Sequence, residues 1–154
     1  MADIVSKAKR SWIMSRIRSR WTRIDRTMHG LLKGYKVTHV MYPRVVGNPD
    51  IFVPPGTLIF LDGCFWHHCP KCGRPPKSKL SYWRPKIEAN VRRDRTVRAR
   101  LRRRGYVVLR FWEHEVLRDG RGCARIILRR YKQHKHARTS LLTAEMVHIG
   151  STQR

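Results

Sequence analysis

Asp50 and Asp62 stand at the two ends of a short apolar stretch, and Cys64, His67, His68, Cys69 and Cys72 follow directly after the second. Carboxylate oxygens are hard donors that suit Mg²⁺, which is normally completed by water and substrate phosphate. Thiolates and imidazoles are softer and suit zinc. The run from Asp50 to Cys72 therefore carries the donors for two metal chemistries side by side. Phe65 and Trp66 lie between them, where large aromatics have no role in ligation. The bland alternative is that Asp50 caps a turn and Asp62 opens a loop. That alternative weakens in a chain with 10 acids against 35 lysines and arginines, where free carboxylates are scarce.

Cys64, Cys69 and Cys72 follow the spacing C-x4-C-x2-C, and Cys69-Pro70-Lys71-Cys72-Gly73 resembles a zinc knuckle, whose tight turn lets two thiolates face one ion. A closed structural site takes four donors. Cys123 and His114 are the candidates for the fourth, and His114 is preferred because it follows a predicted strand that can lie beside the apolar stretch.

Those donors need elements to hold them. Asn48-Pro49 is a turn signal that leads into Ile51-Phe52-Val53, a continuous apolar strand; Pro54-Pro55-Gly56 turns the chain, and Thr57–Leu61 returns. Direct pairing predicts Val53 opposite Leu58, which sets Asp50 opposite Leu61 and near Asp62. Upstream, Thr22 reads as a helix N-cap, with Ile24, Met28, Leu31 and Leu32 as the apolar stripe and Gly34 as the stop. Asp25 takes the capping-box position of that helix. Val37–Met41 reads as a strand ended by Pro43. Downstream, Pro85 is expected in the first turn of a helix that runs to about Arg104 and is closed by Gly105. Tyr106–Trp112 reads as a strand and Ala124–Tyr131 as a short helix. An antiparallel hairpin and a later strand joined by a long helix predict an α/β fold, a mixed central sheet flanked by helices. Residues 1–136 are read as one domain, with 1–20 a basic arm, and 137–154 as a polar tail.

The chain has 154 residues and a formal charge of +25, with a pI near 11.5. Such a surface calls for a polyanion, with nucleic acid ahead of a membrane surface. No run is apolar enough to span a bilayer, and the start has no apolar leader, so a cytoplasmic, nucleoid-associated protein with reduced thiols is expected. The helix of Arg92, Arg93, Arg95, Arg100, Arg102, Arg103 and Arg104 hardly mixes signs and reads as a phosphate-facing surface. In the arm, Met14 and Ile17 either pack inward or form an apolar wedge for a DNA groove.

Asn48-Pro49-Asp50-Ile51, Asp62-Gly63-Cys64-Phe65-Trp66-His67, Tyr82-Trp83, Lys86-Ile87, Asn90-Val91, Arg93-Asp94-Arg95 and Trp112-Glu113 together resemble the very-short-patch-repair (Vsr) endonucleases, in collinear order from about Ala8 to Leu117. The resemblance implies a restriction-endonuclease-like fold with an embedded structural zinc. It also implies Mg²⁺-dependent nicking of double-stranded DNA, 5′ to the thymine of a T:G mismatch left by deaminated 5-methylcytosine. By the same resemblance, Asp50 matches the metal-binding aspartate, Leu61 the residue whose carbonyl meets Mg²⁺, and His67 the catalytic histidine. Phe65, Trp66 and Trp83 match aromatics that insert beside the mismatch. Met14 and Ile17 match apolar residues of the arm, and Lys86 and Asn90 match base contacts. The chain departs from the pattern in having Asp25, a candidate catalytic acid with a shorter reach to a metal-bound water, where a glutamate is usual. It has Asp62, a further candidate Mg²⁺ ligand, where some members have a second histidine. Cys69, Cys72 and His114 stand where others exchange histidine and cysteine. The implied protein is a monomer that could meet mismatch-repair proteins. Two other readings fit the same residues: a Vsr-like homing or mobile-element nuclease that cuts matched sites, and a non-catalytic zinc-stabilised DNA-binding module.

Overall fold

The computed structural model describes residues 6–16, 19–74 and 80–150, with side chains at 7, 10, 13, 14 and 135–150 outside the description. Ile17 therefore lies outside the described residues, and Met14 is described only as part of the backbone of the first helix.

The elements follow the predicted order: α1 (Lys7–Ser15), α2 (Arg23–Gly34), β1 (Val40–Met41), β2 (Ile51–Val53), β3 (Thr57–Asp62), α3 (Leu80–Arg103), β4 (Val107–Trp112) and α4 (Glu113–Gly150). The sheet has the spatial order β1-β2-β3-β4. β1 and β2, and β2 and β3, are antiparallel, whereas β3 and β4 are parallel because α3 carries the chain back across the sheet.

Alternation along the strands gives the sheet two apolar faces. Ile51, Val53, Ile59, Leu61 and Phe111 join Ile24, Met28 and Leu32 of α2 and Val116, Ala124 and Ile127 of α4 in the larger core. Leu58 and Val108 join Leu101 of α3 in a smaller core on the opposite face, with Phe60 and Val97 against it. Helices thus cover both faces. Met28 and Leu32 are fully buried, and burial on that scale contributes about 1.5–3 kcal/mol per side chain. The two faces also decide where the polar ends point. Asp62 continues the Leu58–Phe60 side of β3, and Arg110 continues the Val108 side of β4, so both turn toward α3.

Several expected boundaries move. β2 and β3 pair with Val53 opposite Thr57 and Phe52 opposite Leu58, one residue from the predicted register, because the ladder closes around the three residues Pro54-Pro55-Gly56. Residues 37–39 do not join the sheet. The Val37 N–H bonds back to the Leu32 carbonyl at 2.9 Å, and Thr38 and His39 use their side chains, toward Tyr131 and the Val37 carbonyl. α3 begins at Leu80 and holds Pro85 inside it, where the missing N–H costs one ladder bond near the helix start. Its end is as predicted. Gly105 has φ +84°, its N–H bonds to Arg102 and the Tyr106 N–H to Leu101, the pairing of a Schellman turn. α4 starts well before Ala124. It breaks at Asp119 (φ −143°, ψ 66°), whose carboxylate caps the second half through the Gly122 N–H at 2.8 Å. Its backbone then stays helical to Gly150, across the segment read as a polar tail. No helix among the described residues is long and apolar enough to cross a membrane.

Candidate active site and metal centre

One cleft of about 820 Å³ opens at the end of the sheet where β3 leaves it. Asp25, Asp50, Asp62, Asp94 and Glu113 line it, which is half of the acids in a chain with only 10. His67, Phe65, Trp66, Lys86, Arg93 and Arg98 line it too. The cleft is a local reversal of the molecule's charge, rimmed by the basic face of α3.

Asp50 sits one residue before β2. The predicted register is wrong by one, yet the carboxylate still reaches across: Asp50 Oδ2 accepts the Leu61 N–H at 2.7 Å. That is the one hydrogen bond of the carboxylate among the described residues. Burial raises the Asp50 pKa to about 7; the Leu61 N–H lowers it, and the charges of Asp25 and Asp62 add to the rise. A buried carboxylate beside two others is a site that a hard cation would relieve, so Asp50 and the adjacent strand end fit Mg²⁺.

Asp25 is fully buried, and its Oδ2 is already engaged. It accepts the Thr22 N–H at 2.8 Å and the Tyr42 hydroxyl at 2.9 Å. The capping box is therefore present with aspartate in place of the longer acid. The Tyr42 hydroxyl is pushed up to about 12, chiefly by burial and also by Asp25, so it remains a donor.

His67 is held by a residue that sequence reasoning left without a role. Its Nδ1 lies 2.5 Å from Asp94 Oδ2 on α3 and 3.7 Å from Asp62 Oδ1. A carboxylate acceptor assigns the proton to Nδ1 and leaves Nε2 as the ring's lone-pair nitrogen. Burial alone would raise Asp94. The hydrogen bond from His67 and the charges of His67, Arg93 and Arg110 outweigh it and hold Asp94 below the usual carboxylate range. Asp62 is raised by burial, and His67 and Arg110 pull it back only in part. The sequence signals were present: Asp94 is the one acid between Arg92 and Arg104, and Arg110 the one charge in the apolar run Val107–Trp112.

The soft donors converge separately. The Cys64, Cys69 and Cys72 sulfurs lie 3.2, 3.7 and 3.3 Å from His114 Nδ1, and all four donor atoms fall within 4.8 Å of one another. Bonds of 2.3 Å to sulfur and 2.0–2.1 Å to nitrogen give a tetrahedral edge of about 3.5 Å, so the spacing is that of a four-coordinate ion. Cys123 is instead buried in the larger core. A side chain at Gly73 would collide with the backbone of His68 and Cys69, so the turn that aims Cys72 requires glycine. Cys72 is pushed up to about 12, first by hydrogen bonding with Cys64. Cys69 is lowered: burial opposes this, but the backbone N–H groups of Cys72 and Lys71 favour its thiolate.

The aromatics form one cluster. Phe65, Trp66 and Trp83 pack edge to face at 5.1, 5.5 and 5.7 Å, with Trp83 buried and the other two partly exposed. Lys86 Nζ lies 5.6 Å from the Tyr82 ring and 5.9 Å from the Trp83 ring. Asn90 donates to the Trp66 carbonyl at 3.1 Å, which ties α3 to the aromatic loop. Arg93 is exposed on the cleft rim and Arg95 is exposed on α3.

Comparison with known proteins places the chain among relatives. The family model described as DNA mismatch endonuclease Vsr matches residues 2–73. The Type II nicking enzyme V.XorIIP of Xanthomonas oryzae pv. oryzae is 38% identical over 119 residues, which cover 75% of this chain and 88% of that protein. The DNA mismatch endonuclease Vsr of Escherichia coli is 38% identical over 117 residues, 73% of this chain and 74% of that one. The Type II nicking enzyme V.NaeI of Lentzea aerocolonigenes is 53% identical over 73 residues, 47% of this chain, which spans only 44% of that relative's length. With matches of this identity and coverage, the chain belongs to the Vsr endonuclease family.

Proposed function

We propose that the protein is a Mg²⁺-dependent DNA endonuclease that nicks one strand 5′ to the thymine of a T:G mismatch. The observation that carries the reading is the His67–Asp94 pair facing Asp50 in one cleft. Asp50 and the Leu61 carbonyl would hold Mg²⁺, which when bound stabilises charge on the attacking and leaving oxygens of the phosphate. His67, its Nδ1 proton fixed on Asp94, presents Nε2 to take the proton of the attacking water. Arg93 and Arg98 on the rim steady the phosphate backbone. Phe65 and Trp66 enter the base stack, which costs least where a mismatch has already weakened it. Cys64, Cys69, Cys72 and His114 would hold zinc, which when bound would fix the loop that carries those aromatics and His67. Met14, Ile17, Lys86, Asn90 and Arg95 complete the DNA surface, the first two from the basic arm at 1–20. Asp25 acts by closing α2 and holding the Tyr42 hydroxyl.

A second reading, strand nicking at matched sites, draws on the relatives named Type II nicking enzymes. The test is Mg²⁺-dependent nicking of a panel of otherwise identical duplexes, matched and mismatched, with Asp50→Ala as the control. Cutting confined to T:G duplexes and lost in Asp50→Ala is the expected result. Equal cutting of matched and T:G duplexes removes the mismatch assignment, and undiminished nicking by Asp50→Ala removes the active site.

A further inference from the structure

Asp62, His67 and Asp94 bring three potential ligand atoms within 4.8 Å of one another, and on donor type alone they could take a divalent ion. The structure supplies a different cation. Arg110 Nε is in contact with Asp62 Oδ2, and its Nη2 lies 3.6 Å from Asp94 Oδ2. Both nitrogens are shut off from solvent and neither makes a well-aligned hydrogen bond, so the two carboxylates are what compensates them. The Arg110 side chain is 19% exposed, Asp62 9% and Asp94 15%.

Strand geometry holds the guanidinium there. Arg110 pairs with Phe60 and Trp112 with Asp62 across the parallel β3–β4 ladder, so Arg110 lies diagonal to Asp62 on the same face. The guanidinium also stacks over the Trp112 ring at 4.0 Å. Guanidinium does not deprotonate in proteins, so this positive charge is permanent. A divalent ion on Asp62 would have to share that carboxylate with a stacked, part-buried cation already in contact with Oδ2, and the two like charges would repel each other.

We propose that Arg110 is a positioning residue, the resident cation of the Asp62–His67–Asp94 cluster, and that Asp62 anchors this pair and is not a metal ligand. Arg110 then ties β4 to β3 and to α3 and fixes the two carboxylates against which His67 Nδ1 is set. Divalent metal is left to Asp50, which lines the same cleft. The part of this proposal that concerns catalysis rests on the nuclease reading above; the ion pair and the metal assignment do not.

The experiment uses the full chain and four variants: Asp62→Asn, Arg110→Met, Arg110→Lys and the double Asp62→Leu/Arg110→Met. Mn²⁺ binding by electron paramagnetic resonance, without DNA, is expected to stay within about threefold of wild type in Asp62→Asn. Loss of a site, or weakening of about tenfold or more, overturns the metal assignment. Thermal unfolding should show Arg110→Met lowered by roughly 10 °C, since it leaves Asp62 buried and unpaired, and the double variant recovering most of that. Additive losses in the double variant overturn the pair. In nicking assays kcat of Arg110→Met should fall roughly 10- to 100-fold, the range for a supporting partner, with KM for DNA within threefold. Arg110→Lys should restore part of the loss. The double variant should remain slow although its melting temperature recovers, and full recovery of kcat there overturns the positioning role. If wild type nicks no duplex with any divalent ion, the nuclease reading fails by itself, and the Mn²⁺ and unfolding arms still decide the pair.

Discussion

The two polar centres lie close in the chain and are built in opposite ways. Three of the four soft donors come from a single loop, Cys64 to Cys72, and the fourth from the first turn of α4. The carboxylate cleft draws Asp25 from α2, Asp50 from the approach to β2, Asp62 from the end of β3 and Asp94 from α3. A loop whose soft donors converge on one point would take its shape from an ion held there. A cleft assembled from separate elements takes its shape from the two cores behind it. His67, Phe65 and Trp66 belong to the loop by sequence and to the cleft by position, so they pass the state of one centre to the other. The soft centre should therefore control both folding and activity through the loop that carries His67, whereas divalent metal at the hard centre should control activity.

The sharpest way to break that contrast is Cys69→Ser. Structural zinc contributes on the order of 10–16 kcal/mol in isolated zinc-finger peptides, and here its loss would free the loop on which His67 sits. The variant should carry under about half an equivalent of zinc by mass spectrometry, melt at least roughly 10 °C lower and lose nicking by about 10³-fold or more. Brief exposure of wild type to EDTA should stop nicking reversibly, with excess Mg²⁺ restoring it while zinc stays bound. A Cys69→Ser protein that melts and nicks like wild type would end the idea of a brace.

Asp94→Asn probes the link from the cleft side. An amide keeps the shape but cannot hold His67 Nδ1–H as a carboxylate does at 2.5 Å. Nicking should fall roughly 10- to 100-fold while zinc content and DNA affinity hold. A simultaneous loss of zinc would mean that the two centres are one structural unit and that the contrast drawn above is false.

Acidity separates the centres more gently. The metal-free Asp50 pKa is raised to about 7 by burial, above the ordinary carboxylate value near 3.9. A raised carboxylate binds its proton more tightly folded than unfolded. Its contribution to stability is complete below pH ~3.9 and is lost as pH rises through about 7. Metal-free protein should thus lose about 1.4 kcal/mol between pH 6 and pH 8 from this group. Mg²⁺, which competes with the proton, should bind about tenfold more tightly at pH 8 than at pH 6. Calorimetric unfolding with and without Mg²⁺ at the two pH values checks both signs. Mg²⁺ stabilising equally at both would remove Asp50 from the metal site.

What could be read from the sequence divides along the same line. The order of elements, the parallel return through α3 and the Gly105 stop were legible because apolar periodicity and glycine act locally. The Cys/His centre was legible for the same reason, with His114 needing only a strand to carry it alongside. The cleft was legible in Asp25, Asp50, Asp62, Phe65, Trp66, His67, Lys86 and Arg93, all of which line it, and opaque in the partners that hold His67 and Asp62. Asp94 and Arg110 are joined to His67 and Asp62 by tertiary placement alone, and a lone acid among arginines or a lone arginine in an apolar strand does not name its partner. The hairpin slip shows the limit of register arguments: Pro54-Pro55-Gly56 closes the ladder one residue earlier than direct pairing suggests, yet Asp50 reaches Leu61 along the diagonal. α4 was underestimated because Asp119 interrupts a pattern that the Gly122 cap restarts.

The smallest expected effect tests whether Asp25 belongs to the cleft's chemistry or to the fold behind it. Its Oδ2 is shared between the Thr22 N–H and the Tyr42 hydroxyl, while the reciprocal bond, from the Asp25 N–H to Thr22 Oγ1, is long at 3.5 Å. Thr22→Ala removes only that longer bond, so it should cost about 0.5–1 kcal/mol of stability, the low end for an N-cap. Nicking should change less than about threefold. Tyr42→Phe removes a better bond to the same carboxylate and should cost a similar amount or slightly more, again with kcat nearly unchanged. If either variant lowers kcat by tenfold or more at constant melting temperature, Asp25 is poised for the reacting phosphate, and its two hydrogen bonds set the aim of a catalytic acid. If both effects appear only in the unfolding curve, this buried carboxylate is structural, and the hard centre reduces to Asp50 together with His67 and its partners.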